Sequence, residues 1–312
     1  MLNISYNLSP KLKDYLYAIE KLRRSILLPP LSPKTKLMLR WEATFDRICA
    51  YAFFSKNPLG KNEISKLLEE NSPKKLSKNQ ETIIKYKEAI DYVLQNWLGS
   101  ANQINSQDIL KIYQIVSNGR LSVPEEELEY LFNYLQLSVE NPIIQSAIVY
   151  IELMKMEPFT KDNEIISLLA ALLFLYKYGY DFRGLLAFEN EWIENNSSYR
   201  QNYELAMRAP TLTLWLEYFA GSILRSLEKA SQKLSKGREI ARELPKSFWE
   251  LNDRQKSILA YLQKPEISIT NRKVQKRYRV SQITASRDLT RLTNLGLLFS
   301  HGNGRSVYYT RV

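Results

Sequence analysis

The chain has 312 residues, 45% of them hydrophobic and only 10 glycines, which leaves room for two domains, or three if one is small, and marks a globular, mainly helical protein. A single cysteine, Cys49, excludes an internal disulfide and multi-cysteine zinc sites, and the lone His301 excludes histidine clusters, so no metal site is expected. The net charge of +11 is segregated: from Pro245 to Val312 thirteen Lys and Arg face four Asp and Glu, a balance of +9 that leaves +2 for the rest, as expected of a polyanion-binding module on a nearly neutral body.

In chain order, apolar residues at helical spacing (Leu12, Tyr15, Leu16, Ile19, Leu22, Ile26) predict a first helix ending at Pro29-Pro30. Further helices are predicted at Ser32 to Phe54, Lys61 to Glu70, Lys78 to Trp97, Ser106 to Ser117, Glu125 to Ser138, Pro142 to Met156 and Asn163 to Tyr178. Two more follow, Leu185 to Asn195 and a long one from Tyr199 to about Glu228; turn signals such as Asn57-Pro58, Ser72-Pro73, Asn118-Gly119 and Asn141-Pro142 separate the helices. Residues 230 to 247 read as a polar linker or exposed helix. Beyond them the pattern becomes three short helices (Asp253 to Gln263, Asn271 to Tyr278, Gln282 to Leu295) and two strands about Gly302-Asn303-Gly304, the order of a winged helix.

The fold class expected is therefore mainly α, an all-helical core followed by a small winged-helix domain. Its divisions are a helical region over 1–60, the core over 61–229, the linker over 230–247 and the winged helix-turn-helix over 248–312. The N-terminus has no basic segment before an apolar core, so no signal peptide is expected. The longest apolar run, Ile165 to Tyr176, would span roughly 18 Å as a helix, too short for a bilayer. A cytoplasmic protein without a membrane partner is the expectation.

In the C-terminal module Ser281 is placed to cap a recognition helix whose Ile283, Leu289, Leu292 and Leu295 are expected to bury one side. Gln282, Thr284, Ser286, Arg287 and Arg291 then project outward, and these side chains suit base edges and phosphates. Arg272, Lys273, Lys276, Arg277 and Arg279 cluster where a helix-turn-helix crosses the phosphate backbone, and Arg305 lies at the tip of the wing. The alternative is a winged helix that docks a protein, with Asp288 simply paired to a nearby Arg. The segment resembles winged-helix modules of bacterial regulators with a Thr-Ala-x-Arg-Asp-Leu recognition helix, here Thr284 to Leu289, followed by Gly-x-Gly-Arg, here Gly302 to Arg305.

Upstream, Asn141 to Ala147, Glu157-Pro158-Phe159, an apolar helix, Gly179-Tyr180 and Tyr199-Arg200-Gln201-Asn202-Tyr203 follow one another in a layout similar to that of the Fic family. The family's motif is His-Pro-Phe-x-Asp-Gly-Asn-Gly-Arg. Pro158, Phe159 and Asn163 match it; Glu157 stands at the His, Lys161 at the acidic metal ligand, Asp162 and Glu164 at the glycines, and Ile165 and Leu168 at the arginines.

In active members, the resemblance implies, the motif His deprotonates a target hydroxyl so that it attacks the α-phosphate of ATP and AMP is transferred. A carboxylate with a pKa near 4.3 is a weaker base at neutral pH, and Lys161 has the wrong sign for Mg²⁺. Glu157, Lys161, Asp162 and Glu164 together give about −2, repelling triphosphate, while Asp162 with Glu164 reads as a helix N-cap and first turn.

The family's inhibitory helix ends Ile-Glu-Gly-Asn, where this chain has Phe54-Ser55-Lys56-Asn57, and its peptide-docking flap is shortened to Asn118 to Val123.

Three other features are given plain readings. The run Glu125-Glu126-Glu127 is taken as a solvated helix start, His301 as a solvent-facing residue or phosphate contact, and Tyr15, Tyr17, Trp41, Trp97 and Trp192 as core.

The function expected is a catalytically degenerate Fic-like protein that binds double-stranded DNA, a transcriptional regulator or adaptor needing no cofactor and acting as a homodimer. One alternative is a nucleotidyltransferase with an altered site, using ATP and Mg²⁺ with Glu157 as base. Another is a scaffold holding a protein or peptide in the Fic-like cleft.

Overall fold

The computed structural model describes residues 4–28, 33–69, 76–139, 141–235, 251–262, 267–295, 297–302 and 307–311. The N-terminal part of the chain contributes α1 (Pro10–Leu27), α2 (Pro33–Phe54), α3 (Lys61–Glu69), α4 (Lys78–Trp97), α5 (Ser106–Val116) and α6 (Glu125–Ser138). Next come α7 (Pro142–Met156), α8 (Asn163–Lys177), a 3-10 turn at Phe182–Gly184, α9 (Glu189–Glu194), α10 (Asn196–Arg208) and α11 (Thr213–Ser235). The C-terminal module follows with α12 (Asp253–Tyr261), β1 (Ile269–Thr270), α13 (Asn271–Tyr278), α14 (Gln282–Asn294), β2 (Leu298–His301) and β3 (Tyr308–Arg311). The expected class, mainly α with a small sheet-bearing wing at the C-terminal end, is the class observed.

By compactness the chain divides into two units. One comprises Met1–Pro29, Ala43–Lys61 and Leu76–Ser235; the other comprises Pro30–Glu42, Asn62–Lys75 and Lys236–Val312.

The first unit is built around α7 and α8, which are apolar on every side and accordingly buried from Ile143 to Leu153 and from Ile165 to Lys177. Ser146 donates to the Ala171 carbonyl at 2.8 Å and the Trp215 indole donates to the Ala147 carbonyl at 2.8 Å, fixing α8 and α11 on α7. Around them pack α4, α5, α6 and α10, with α1 laid along α11. Ser9 caps α1 and also donates to Glu217 of α11 at 2.7 Å. The polar N-terminus of α5 is satisfied by α6: Ser106 donates its amide to Glu129 at 2.9 Å and its hydroxyl to Glu125. Glu125 is therefore a partner of α5 as well as the start of its own helix.

Three expectations about this unit are corrected. The long helix from Tyr199 is two helices, because Pro210 disfavours helical backbone at Ala209, which is extended (φ −74°, ψ 144°). The helix expected from Leu185 is confined to Glu189–Glu194, since Phe182, Arg183 and Gly184 take positive φ just before it. Of the aromatics expected in the core, Tyr17 is 76% exposed and Tyr15 only half-buried, whereas Trp97 and Trp192 are buried, as is Trp41 of the second unit.

In the C-terminal module the strands pair antiparallel in the order β1-β3-β2, with Ser300 opposite Tyr309 and Ile269 also opposite Tyr309. Two strands were legible beforehand; β1, only two residues long, was not. Ile258, Leu262, Ile269, Val274, Ala285, Leu289, Leu292 and Leu298 form the module's core. The linker expected at 230–247 begins as the last turns of α11, and its remainder lies outside the described residues, as do Asn303 to Ser306 of the wing with Arg305.

Candidate functional site

The loop between α7 and α8 holds Glu157 to Asp162. Glu157 ends α7 in the left-handed region (φ 45°), and Asp162 precedes α8 in the same region (φ 60°), without any side-chain capping bond. The expectation that Asp162 caps α8 by its side chain is thus overturned: a left-handed backbone carries the carboxylate away from the capping geometry, which needs extended backbone. Lys56, closing α2, is left-handed too (φ 53°). Asp162 and Lys56 are two of the positions expected to match family glycines, and both adopt the conformation that glycine takes without steric cost.

Asn163 holds the loop from inside. Its side chain accepts from the Phe159 amide at 2.9 Å and donates to the Phe159 carbonyl at 2.5 Å, while Phe159 is buried against Tyr113 with ring centroids 4.6 Å apart. The outer edge of the loop is taken by the short flap: Ser122 donates its amide to the Pro158 carbonyl at 2.9 Å, and Thr160 donates to the Arg120 carbonyl at 3.1 Å. Leu121 bridges Phe159 in antiparallel register, and the Ser122 hydroxyl donates to the Glu157 carbonyl at 2.6 Å. A Cβ on Gly119 would lie 1.5 Å from the Tyr113 hydroxyl, so this approach of flap to loop requires glycine.

Glu157 and Lys161 are exposed, Pro158 is buried, and Glu164 is half-buried. The Tyr199 hydroxyl donates to Glu164 Oε1 at 3.1 Å and accepts from the Tyr150 hydroxyl at 2.6 Å. Burial pushes the Glu164 carboxyl above its ordinary range, and the Tyr199 bond, Arg200 and Lys56 draw it partly back. Those two cations, distant in sequence, offset the local charge of about −2 counted along the loop alone. Sequence proximity could not have found them. Phe54, from the end of α2, packs edge-on to Trp192 and, at 5.7 Å, against Tyr199, which places the Phe54-Ser55-Lys56-Asn57 segment beside this tyrosine.

The C-terminal module carries the second group of candidates. Arg272, Lys273, Lys276, Arg277 and Arg279 are all exposed on or just after α13. The Lys273 ammonium and the Arg277 guanidinium lie 5.2 Å and 4.4 Å from the ring centre of Tyr261. Arg279 is left-handed (φ 51°) and makes the tight turn into α14, where Ser281 caps by accepting from the Thr284 amide at 3.2 Å. Gln282, Ser286 and Arg287 are exposed, whereas Thr284 and Arg291 are only half so, and the Thr284 hydroxyl is 3.0 Å from that of Ser281.

Ile283, expected to be buried, is 65% exposed. The buried stripe of α14 runs through Ala285, Leu289 and Leu292, and Ile283 lies on the opposite ridge with Ser286, Arg287 and Thr290. Asp288 is buried and paired: it accepts from Gln255 at 2.9 Å and from Arg254, tying the start of α12 to α14. His301 stacks on Tyr308 with centroids 4.9 Å apart, and its Nε2 is 2.8 Å from the Thr310 hydroxyl. Among the described residues no group of three His, Cys, Asp or Glu is placed to hold a metal ion, and no helix is long and apolar enough to cross a membrane.

This architecture is that of Fic proteins. A Fic family protein from Desulfovibrio desulfuricans G20 superposes with a TM-score of 0.64 at 13% identity, over 99% of this chain and 98% of that one. Fic-1 from C. elegans gives 0.59 at 19% identity over 74% of this chain and 73% of its own, and a variant of the same protein gives 0.58 over 70% and 71%. No family model matches the sequence, and no curated protein matches it. The chain therefore has the Fic fold, established by shape at sequence identities below 20%.

Proposed function

We propose that this is a Fic-like protein whose motif has lost its chemistry and whose C-terminal module, a winged helix, binds duplex DNA as a transcriptional regulator or adaptor. The observation that carries the reading is the surface of α13 and α14: Arg272, Lys273, Lys276, Arg277, Arg279, Gln282, Ser286 and Arg287 are all exposed on a segment of net charge +9. A basic first helix with polar and guanidinium groups along the second is the arrangement that grips phosphates and reads the major groove.

For the motif loop, ATP and Mg²⁺ are what the family's reaction needs, and the residues present do not fit them. Lys161 brings a cation to the metal-ligand position, and the Glu164 carboxylate, held by Tyr199, occupies the helix start where glycine would leave bare amides for phosphate. Glu157 is exposed at a left-handed helix end.

The test is duplex binding by the whole chain in a salt series. Five phosphate contacts from the α13 cluster predict a slope of about −4.5 in log–log form, roughly a 500-fold loss of affinity from about 50 to about 200 mM salt. Arg287→Ala should cost about 1 to 3 kcal/mol on a preferred sequence. Undetectable binding, or binding indifferent to salt, would sink the reading.

A further inference from the structure

Ile283 is the residue of α14 that the module's own packing does not explain. It is 65% exposed at the second position of the helix, while the core takes Ala285, Leu289 and Leu292 from the other side. Its neighbours on the exposed ridge, Ser286 and Arg287, are polar, and Gln282 just before it is exposed as well. An aliphatic side chain is thus framed by hydrogen-bonding ones at the N-terminal end of the helix, the end from which such helices touch base edges.

The major groove displays one apolar group, the C5-methyl of thymine, and it lies in the same groove as the purine acceptors that Arg and Gln recognise. The charge of the surrounding surface selects the occupant: a module of net +9, with five exposed cations on the adjoining segment, draws a polyanion to this face. We infer that Ile283 is a specificity-determining residue that reads a thymine methyl in the DNA site. The inference rests on the duplex-binding reading above and adds to it a base preference located at one side chain.

The experiment starts from a duplex selected by the whole chain out of a randomised pool, in which each thymine of the selected site is then replaced singly by deoxyuridine. That exchange removes one methyl group and leaves every hydrogen-bonding atom in place. The wild-type chain is expected to lose affinity at one thymine by about fourfold, the scale of one buried methyl. Ile283→Ala should bind the thymine and deoxyuridine forms equally, and Ile283→Val should keep part of the discrimination. Because Ile283 is exposed, both variants are expected to fold, and thermal unfolding checks this.

Selection that enriches a sequence with no methyl-sensitive thymine overturns the inference and leaves duplex binding intact. So does discrimination that persists in Ile283→Ala, or duplex binding that enriches no sequence. Failure to bind any duplex overturns both readings together.

Discussion

At the scale of single residues, two non-glycine positions near Glu164 hold left-handed backbone. Asp162 and Lys56 both do so, which costs a non-glycine residue on the order of 1 kcal/mol or more each. Asn163 still brackets Phe159. Glu164 has become a half-buried carboxylate on Tyr199, and this has a measurable consequence. Since burial raises its folded-state pKa above the ordinary 4.5, the fold binds more protons than the unfolded chain in the window just above that value. This contribution is therefore most favourable below the unfolded pKa and is lost as pH rises through the folded one. Glu164→Gln abolishes it, so the melting temperature of the variant should gain on wild type as the pH is raised through and above the ordinary carboxylate range. A difference that stays flat across that range, followed by calorimetry, would refute the assignment.

At the scale of elements, a buried ion pair joins α2 to α9. Arg47 is 3.0 Å from Glu189, and it also donates to Tyr176 at 3.1 Å and to the Leu186 carbonyl. Burial opposes the charge on Arg47, but Glu189, with Tyr176 and Tyr86, outweighs it and raises the arginine pKa. Such a pair adds little net stability, yet breaking it strands a charge. Arg47→Met should cost about 3 to 5 kcal/mol in denaturant unfolding, and Arg47→Met with Glu189→Leu distinctly less. Equal losses in the two would mean that the arginine acts by packing alone. The same scale governs α14: Asp288, bound by Arg254 and Gln255, fixes it against α12 while its neighbour Arg287 faces solvent.

At the scale of the whole molecule, a Fic fold at 13% to 19% identity to its structural relatives fixes shape and leaves chemistry to the residues. Incubation with labelled ATP and Mg²⁺ or Mn²⁺ should leave the chain and added protein unmodified. Label that vanishes in Glu157→Ala and in Asn163→Ala would restore the enzyme reading.

Much of this was legible in advance. The boundaries of α4, α6 and α7 follow from apolar spacing and from Ser77, Pro124 and Asn141 at their starts, all local signals. The segregated charge was equally plain, because composition and residue identity need no coordinates. What only tertiary structure decided was anything set by long-range contact. Lys56 and Arg200 reach Glu164 across more than thirty residues of chain. The flap zips onto the loop because Gly119 lets it approach Tyr113, and β1 exists only through its pairing with β3. Ile283 was within reach of the sequence, since it lies about 200° around α14 from Ala285 and so off the stripe of Ala285, Leu289 and Leu292. Local spacing sets which side of a helix is apolar; contacts between distant residues depend on how the elements pack.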